Sequence, residues 1–322
     1  MVPDAALVER FSSDLAGLIP AGARIGIAVS GGPDSLALLL LAAAARPASL
    51  EAATVDHALR EGSRDEAAAV AIICQQLKVR HEILKAEWPQ KPRTAIQPRA
   101  REERYRMLAR WAEARGLDAV LTAHHLDDQA ETLLMRLVRG AGVRGLAGMR
   151  PAATVPGSDI PLLRPLLGWQ RSELRAVCAA AGIEPARDPS NEDERFERVR
   201  VRHALGQSGW LDPQALAASA SHLGDAESAL EWATRREWAN AVSNGGAEIT
   251  YIPVDAPTEI RRRVVQDAVD RLANEGALAE LRGRELDRLL TVLAAGGQAT
   301  IRGVRCVGGA EWRFTRAPPR RA

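Results

Sequence analysis

Arg24-Ile25-Gly26-Ile27-Ala28-Val29-Ser30-Gly31-Gly32-Pro33-Asp34-Ser35 is the stretch that decides the fold of this chain. Its first half, RIGIAV, is a short apolar run of the kind a buried strand shows. Its second half, SGGPDS, is a turn. Gly31 and Gly32 permit backbone angles that a side chain forbids, and Pro33 and Asp34 suit the first turn of a helix. The run 36–45 that follows is apolar on every face and reads as a buried helix. Strand, glycine turn and helix in that order leave free N–H groups at a helix start, which is an anion site. Ser30 and Ser35 add hydroxyl donors. The turn has neither the lysine of a Walker A loop nor the GxGxxG spacing of a dinucleotide fingerprint.

Outward from this loop, 50–55, 79–84 and 119–123 read as strands, and 64–77, 96–115 and 126–138 as helices. The alternation implies βαβ crossovers, hence an α/β, doubly wound, Rossmann-like domain with a parallel sheet. Residues 141–161 read as an extended loop, 161–167 as a fifth strand at the sheet edge, 169–181 as a helix and 188–202 as a charged connector. From about Asp212 the chain becomes an Ala-rich helix (212–243). A strand (248–253), two helices (257–275 and 282–294) and a terminal strand pair (299–307 with 311–315) follow. At about 150 residues per domain, two domains are expected: a catalytic nucleotide-binding domain over 1–208 and a smaller, mostly helical domain over 209–322.

The 322 residues carry 43 Lys+Arg against 41 Asp+Glu, a net charge of +2, which excludes an acidic solvating tail or a uniformly basic coat protein. All basic residues but Lys78, Lys85 and Lys91 are arginines, whose planar fork suits phosphate. The balance hides two basic stretches. In 91–115, Lys91 and seven arginines outnumber Glu102, Glu103 and Glu113; in 299–322, six arginines face Glu311 alone. Cys74, Cys178 and Cys306 are far apart and form no CxxC, which argues against a zinc ribbon, an iron–sulfur site or a dithiol centre and for a reducing compartment. The N-terminus carries acids where a signal peptide needs bases, and 36–45 is too short to span a bilayer, so a cytoplasmic protein without membrane contact is expected.

Further segments fall where ligands bind in an open α/β sheet, at the carboxyl ends of strands. Residues 55–60 read VDHALR. Residues 100–105 read AREERY, with Arg101 and Arg104 on one helix face. Residues 124–132 read HHLDDQAET, and Asp127, Asp128 and Glu131 gather carboxylates within one helical turn. Such a group would hold Mg2+ through oxygen or accept a substrate ammonium. His124 and His125 are adjacent on an extended segment and point opposite ways, a poor zinc pair. RGAG (139–142), GLAGM (145–149), RPLL (164–167) and DPSN (188–191) complete the set.

In this order and at these spacings the segments resemble the tRNA(Ile)-lysidine synthetases, a family of N-type ATP pyrophosphatases of the PP-loop superfamily. The resemblance is strong over 24–205 and weak over 212–322, where the second domain would bind tRNA. It implies a ligase that uses ATP and Mg2+ to adenylate C2 of the wobble cytidine in an isoleucine tRNA with a CAU anticodon. The ε-amine of free L-lysine then attacks that carbon, releasing AMP and giving lysidine. Ser30, Gly31, Gly32, Pro33, Asp34 and Ser35 would hold the pyrophosphate, and Arg104 would neutralise it as it leaves. Asp34, Asp128 and Glu131 would be catalytic, the last two holding Mg2+ or the lysine ammonium and helping to deprotonate the amine. His125, Asp127, Arg139, Arg164, Asp188, Asn191, Arg198 and Arg202 would lie at the substrates, with His125 a weaker candidate for the base. One departure is Val199, where the family usually has Asn after Arg. A homodimer is compatible with all of this. Two other readings stay open: a PP-loop tRNA-thiolating enzyme, which would need paired cysteines, and a nucleotide sensor without chemistry.

Overall fold

The computed structural model describes residues 2–57, 63–86, 88, 96–186, 193–273, 281 and 283–318. The chain forms two compact units, Met1–Gly224 and Asp225–Ala322.

In the first unit the elements run α1 (Ala5–Ala16), β1 (Ile25–Ala28), α2 (Pro33–Ala45), β2 (Leu50–Asp56), α3 (Ser63–Gln76), β3 (Arg80–Lys85), α4 (Ile96–Arg115) and β4 (Ala119–Leu121). Then come α5 (Leu126–Val138), α6 (Val143–Leu146), β5 (Ala152–Thr154), β6 (Pro161–Leu163), α7 (Arg171–Ala180), α8 (Glu197–Gln207) and the start of α9 (Pro213–Ala241). The sheet order is β3-β2-β1-β4-β6-β5, parallel except for the β5–β6 pair. The chain winds from β1 out to β3, then returns to place β4 on the other side of β1. The carboxyl ends of β1 and β4 therefore flank the topological switch point, where such sheets bind ligands. Helix α2 is apolar all round because it packs against α1, α7 and the sheet at once.

Two segments differ from their sequence reading. Residues 141–161 are not an uninterrupted loop: they hold α6 and β5, and β5 pairs antiparallel with β6 in the register Ala152↔Leu163. The connector 188–202 is helical from Glu197 onward. Its Val199 is buried and packs as an apolar group.

The second unit holds the rest of α9, β7 (Val242–Asn244), β8 (Glu248–Tyr251), α10 (Thr258–Leu272), α11 (Gly283–Ala294), β9 (Gln298–Ile301), β10 (Val304–Val307) and β11 (Trp312–Arg316). The terminal strand pair foreseen from sequence is part of a five-stranded antiparallel sheet, β7-β8-β11-β10-β9. The stretch 299–307 is two strands, because Arg302 (φ 50°) and Gly303 (φ 75°) form a tight turn of the left-handed type that matches strand twist. Ile249, Tyr251, Cys306, Trp312 and Phe314 on one sheet face pack with Val264, Val265 and Ala268 of α10 and Leu286, Leu289 and Leu293 of α11. Tyr251 and Trp312 meet edge-to-face at 5.7 Å.

Candidate active site at the switch point

The phosphate loop leaves β1 and enters α2. Gly31 has φ +83°, a left-handed angle that costs an L-residue about 1–2 kcal/mol. Gly32 is the N-cap and Pro33 opens the helix, where a missing N–H is no loss. Ser35 ties the turn together: its Oγ accepts from the Ser30 N–H at 3.1 Å, donates to the Gly32 carbonyl at 3.0 Å and lies 3.1 Å from Ser30 Oγ. The Asp34 carboxylate leaves Oδ1 buried without a protein partner.

Across the switch point, β4 ends and His125 caps α5. Its ring is fully buried among three carboxylates: Nε2 is 3.4 Å from Asp34 Oδ2 and 3.6 Å from Asp128 Oδ2, and Nδ1 is 3.5 Å from Asp127 Oδ2. Burial alone would lower its pKa, but Asp127, Asp34 and Asp128 outweigh it and hold it up at about 9. His125 is thus an imidazolium at neutral pH, which removes it as the base suggested from sequence. Burial would raise Asp127, but His125 and the Arg171 N–H hold it at about 2.

This charge state makes a pH prediction. A His raised from about 6.5 to about 9 contributes stability that is complete below pH 6.5 and lost as pH rises through 9, roughly 3 kcal/mol in all. His57, His81 and His124 are all lowered, so their shifts leave this window clear. Denaturation at pH 6, 7 and 8, below the range in which the three buried thiols would add their own loss, should show the first part of the decline, and His125→Gln should flatten it there; an equal slope in the variant would refute the assignment.

Glu131, on the same helix, is 1% exposed. Its carboxylate accepts from Arg171 Nη2 at 2.9 Å, Arg198 Nε at 2.7 Å and Arg202 Nε at 2.8 Å. Burial would raise its pKa, but Arg202 and Arg198 hold it at about 2. Asp128 is engaged in the same network: Oδ1 accepts from Arg198 Nη2 at 2.8 Å and Oδ2 from the His125 backbone N–H at 3.1 Å. Glu131 and Asp128, expected from sequence to hold Mg2+ or the lysine ammonium and to help deprotonate the amine, are met in this structure by guanidinium groups. Arg198 and Arg202, expected at the substrates, are likewise held by carboxylates. Arg139 pairs with Glu197 at the surface.

A group of arginines lies around His124. Arg164 is 9% exposed, donates from Nη1 to the Arg150 carbonyl at 2.7 Å and keeps Nε buried without a partner. Arg104 Nε is also buried and unpartnered, and Arg101 and Arg104 each stand 5.0 Å from the Tyr105 ring. Burial, with Arg164, Arg104, Arg101 and Arg198 nearby, pushes His124 down to about 3, so it is neutral. Unpaired donors and crowded cations of this kind suit an anionic ligand.

The model of the PP-loop domain family matches residues 7–208. The tRNA(Ile)-lysidine synthase of Novosphingobium aromaticivorans is 48% identical over 98% of this chain and 95% of its own length. That of Zymomonas mobilis is 41% identical over the same shares of the two chains. This chain belongs to the tRNA(Ile)-lysidine synthase family, within the PP-loop domain family. The U34-tRNA thiolase NcsA of Methanococcus maripaludis, with a TM-score of 0.57 at 15% identity over 68% of this chain and 80% of its own, shares the fold.

For a lysidine synthase, the site gathers Ser30 to Ser35, His125, Asp127 and Asp128 at one switch point, with Glu131, Arg198 and Arg202 behind them. Asp188 and Asn191 lie outside the described residues. Sequence reasoning missed Arg171, whose backbone N–H donates to Asp127 Oδ2 at 2.8 Å while its guanidinium reaches Glu131. The available signal was Gln170 with Glu173, a capping box that marks Arg171 as the first helical residue with a free N–H.

Proposed function

We propose that this lysidine synthase acts through the residues at the β1–β4 switch point. ATP lies with its β,γ-phosphates on the loop 30–35, and the wobble cytidine O2 attacks the α-phosphorus, expelling pyrophosphate. The ε-amine of free lysine then bonds to C2, and AMP departs with O2. The juxtaposition of the phosphate loop with the Asp34–His125–Asp128 cluster supports this reading most directly.

With Asp128 and Glu131 engaged by arginines, Asp34 is the carboxylate fitted to Mg2+, because its Oδ1 is a buried acceptor lacking a protein donor. The ion would offset charge on the phosphates. Arg104 and Arg164 would meet phosphate oxygens with their unpartnered Nε–H groups. The His125 imidazolium helps to hold Asp127 in its ionised form. Asp127 would face the lysine ammonium. The tRNA would be bound by the domain expected over 209–322, which includes the second compact unit, and the enzyme would work in the cytoplasm. Among the described residues no helix is long and apolar enough to cross a membrane.

Thiolation is disfavoured. All three cysteines are buried and free, and burial pushes Cys74 and Cys306 up to about 12 and Cys178 to about 11, so none is a ready thiolate. The test is incubation with ATP, labelled lysine and a transcribed isoleucine tRNA bearing CAU. Label should enter the tRNA with one AMP released per lysine. ATP binding without label in that tRNA would sink the reading.

A further inference from the structure

The nucleotide site accounts for one cytidine, and the rest of a tRNA must be held elsewhere. On the outer face of α9 in the second unit, Trp232 is 55% exposed, although indoles are usually covered in folded proteins. Arg236, one turn on, stands with its guanidinium carbon 4.9 Å from the ring centroid. Arg235 lies beside it, and both arginines are exposed. The same face continues through Ala229 and Ala239, which leave the indole open to a flat ligand. In this unit Arg262, Arg263, Arg302 and Arg313 each meet a carboxylate. By contrast, neither Arg235 nor Arg236 has a carboxylate partner among the described residues. Trp111 and Trp312 are buried in the cores and offer no such surface.

We infer that Trp232 is a base-stacking platform for the tRNA substrate, with Arg235 and Arg236 binding the adjoining phosphates. The inference rests on the lysidine synthase reading and names the residues of the second unit that would take an unpaired base and its phosphates. The chemistry is that of single-stranded nucleic-acid sites, in which an aromatic face takes any unpaired or terminal base and flanking cations track the backbone. Charge complementarity selects RNA as the occupant: the patch offers two uncompensated guanidinium groups to a polyanion. A protein partner or a second copy of this chain would have to bury both of them.

The experiment uses the full-length enzyme with Trp232→Ala, Trp232→Phe and the pair Arg235→Ser/Arg236→Ser, after circular dichroism has shown native helix content. Wild-type lysine incorporation is measured first, so that failure of the general reading is separated from failure of this one. Trp232→Ala is expected to weaken tRNA binding roughly 5- to 150-fold, with Trp232→Phe recovering much of the loss. The turnover rate at saturating tRNA should stay at the wild-type value. The double arginine variant should reduce the slope of log affinity against log salt by about 1.5. Unchanged tRNA affinity in Trp232→Ala, with active wild type, overturns the proposal. So does a Trp232→Ala enzyme whose only change is a shift from dimer to monomer in sedimentation.

Discussion

Replacing Glu131 with Gln is expected to destabilise the first unit by about 3–5 kcal/mol, because a buried carboxylate facing three guanidinium groups would become a neutral amide among them. Arg171 comes from α7, Arg198 and Arg202 from α8, and Glu131 from α5, so one side chain ties three helices together. Reading the sequence alone suggests instead that the Glu131→Ala enzyme folds normally and loses only turnover. The geometry reverses that order: stability goes first, and activity follows because α8 no longer seats Arg198 against Asp128. Urea denaturation of the Gln variant measures the loss, and a double-mutant cycle with Arg202→Gln isolates one arm of the clamp. A change below about 1 kcal/mol would remove Glu131 from this role.

Asp34→Asn should do the opposite. Its side chain is partly exposed and its Oδ1 bonds to no protein donor, so the amide fits without leaving a buried charge stranded. Lysine incorporation should nevertheless fall at least about a hundredfold, the size of effect seen when a preorganised group at a developing charge is removed. The unfolding midpoint at pH 7 should move far less than in Glu131→Gln. Because Asp34 is one of three carboxylates around His125, the variant should also shift the alkaline limb of the stability profile toward lower pH. A rate within threefold of wild type would exclude Asp34 from both metal and phosphate chemistry.

These variants also show which parts of the site can be read from sequence. The phosphate loop is legible because every determinant is local: an apolar run, a glycine that needs positive φ, and a helix start, all within twelve residues. The alternating strands and helices out to α5 are legible for the same reason. Helix α8 is not. Its text, Glu197-Arg198-Val199-Arg200-Val201-Arg202, has no apolar stripe of helical period and reads as a charged connector. Its arginines are organised by Glu131, 67 and 71 residues away in the chain, and no local pattern reports such a partner. The β5–β6 hairpin is hidden likewise: three small residues in a Gly- and Pro-rich stretch become a strand only because β6 offers an edge.

The charge states divide along the same line. Residue types and spacing determine a phosphate site and a carboxylate cluster, because the groups within each are adjacent in the chain or one helical turn apart; that the two stand together is set by the pairing of β1 with β4. Which acids are open to a cation, which are clamped by arginine, and whether His125 carries a proton are decided by the tertiary structure. The physical reason is that a pKa depends on burial and on charges within a few ångströms, and here those charges arrive from α2, α7 and α8.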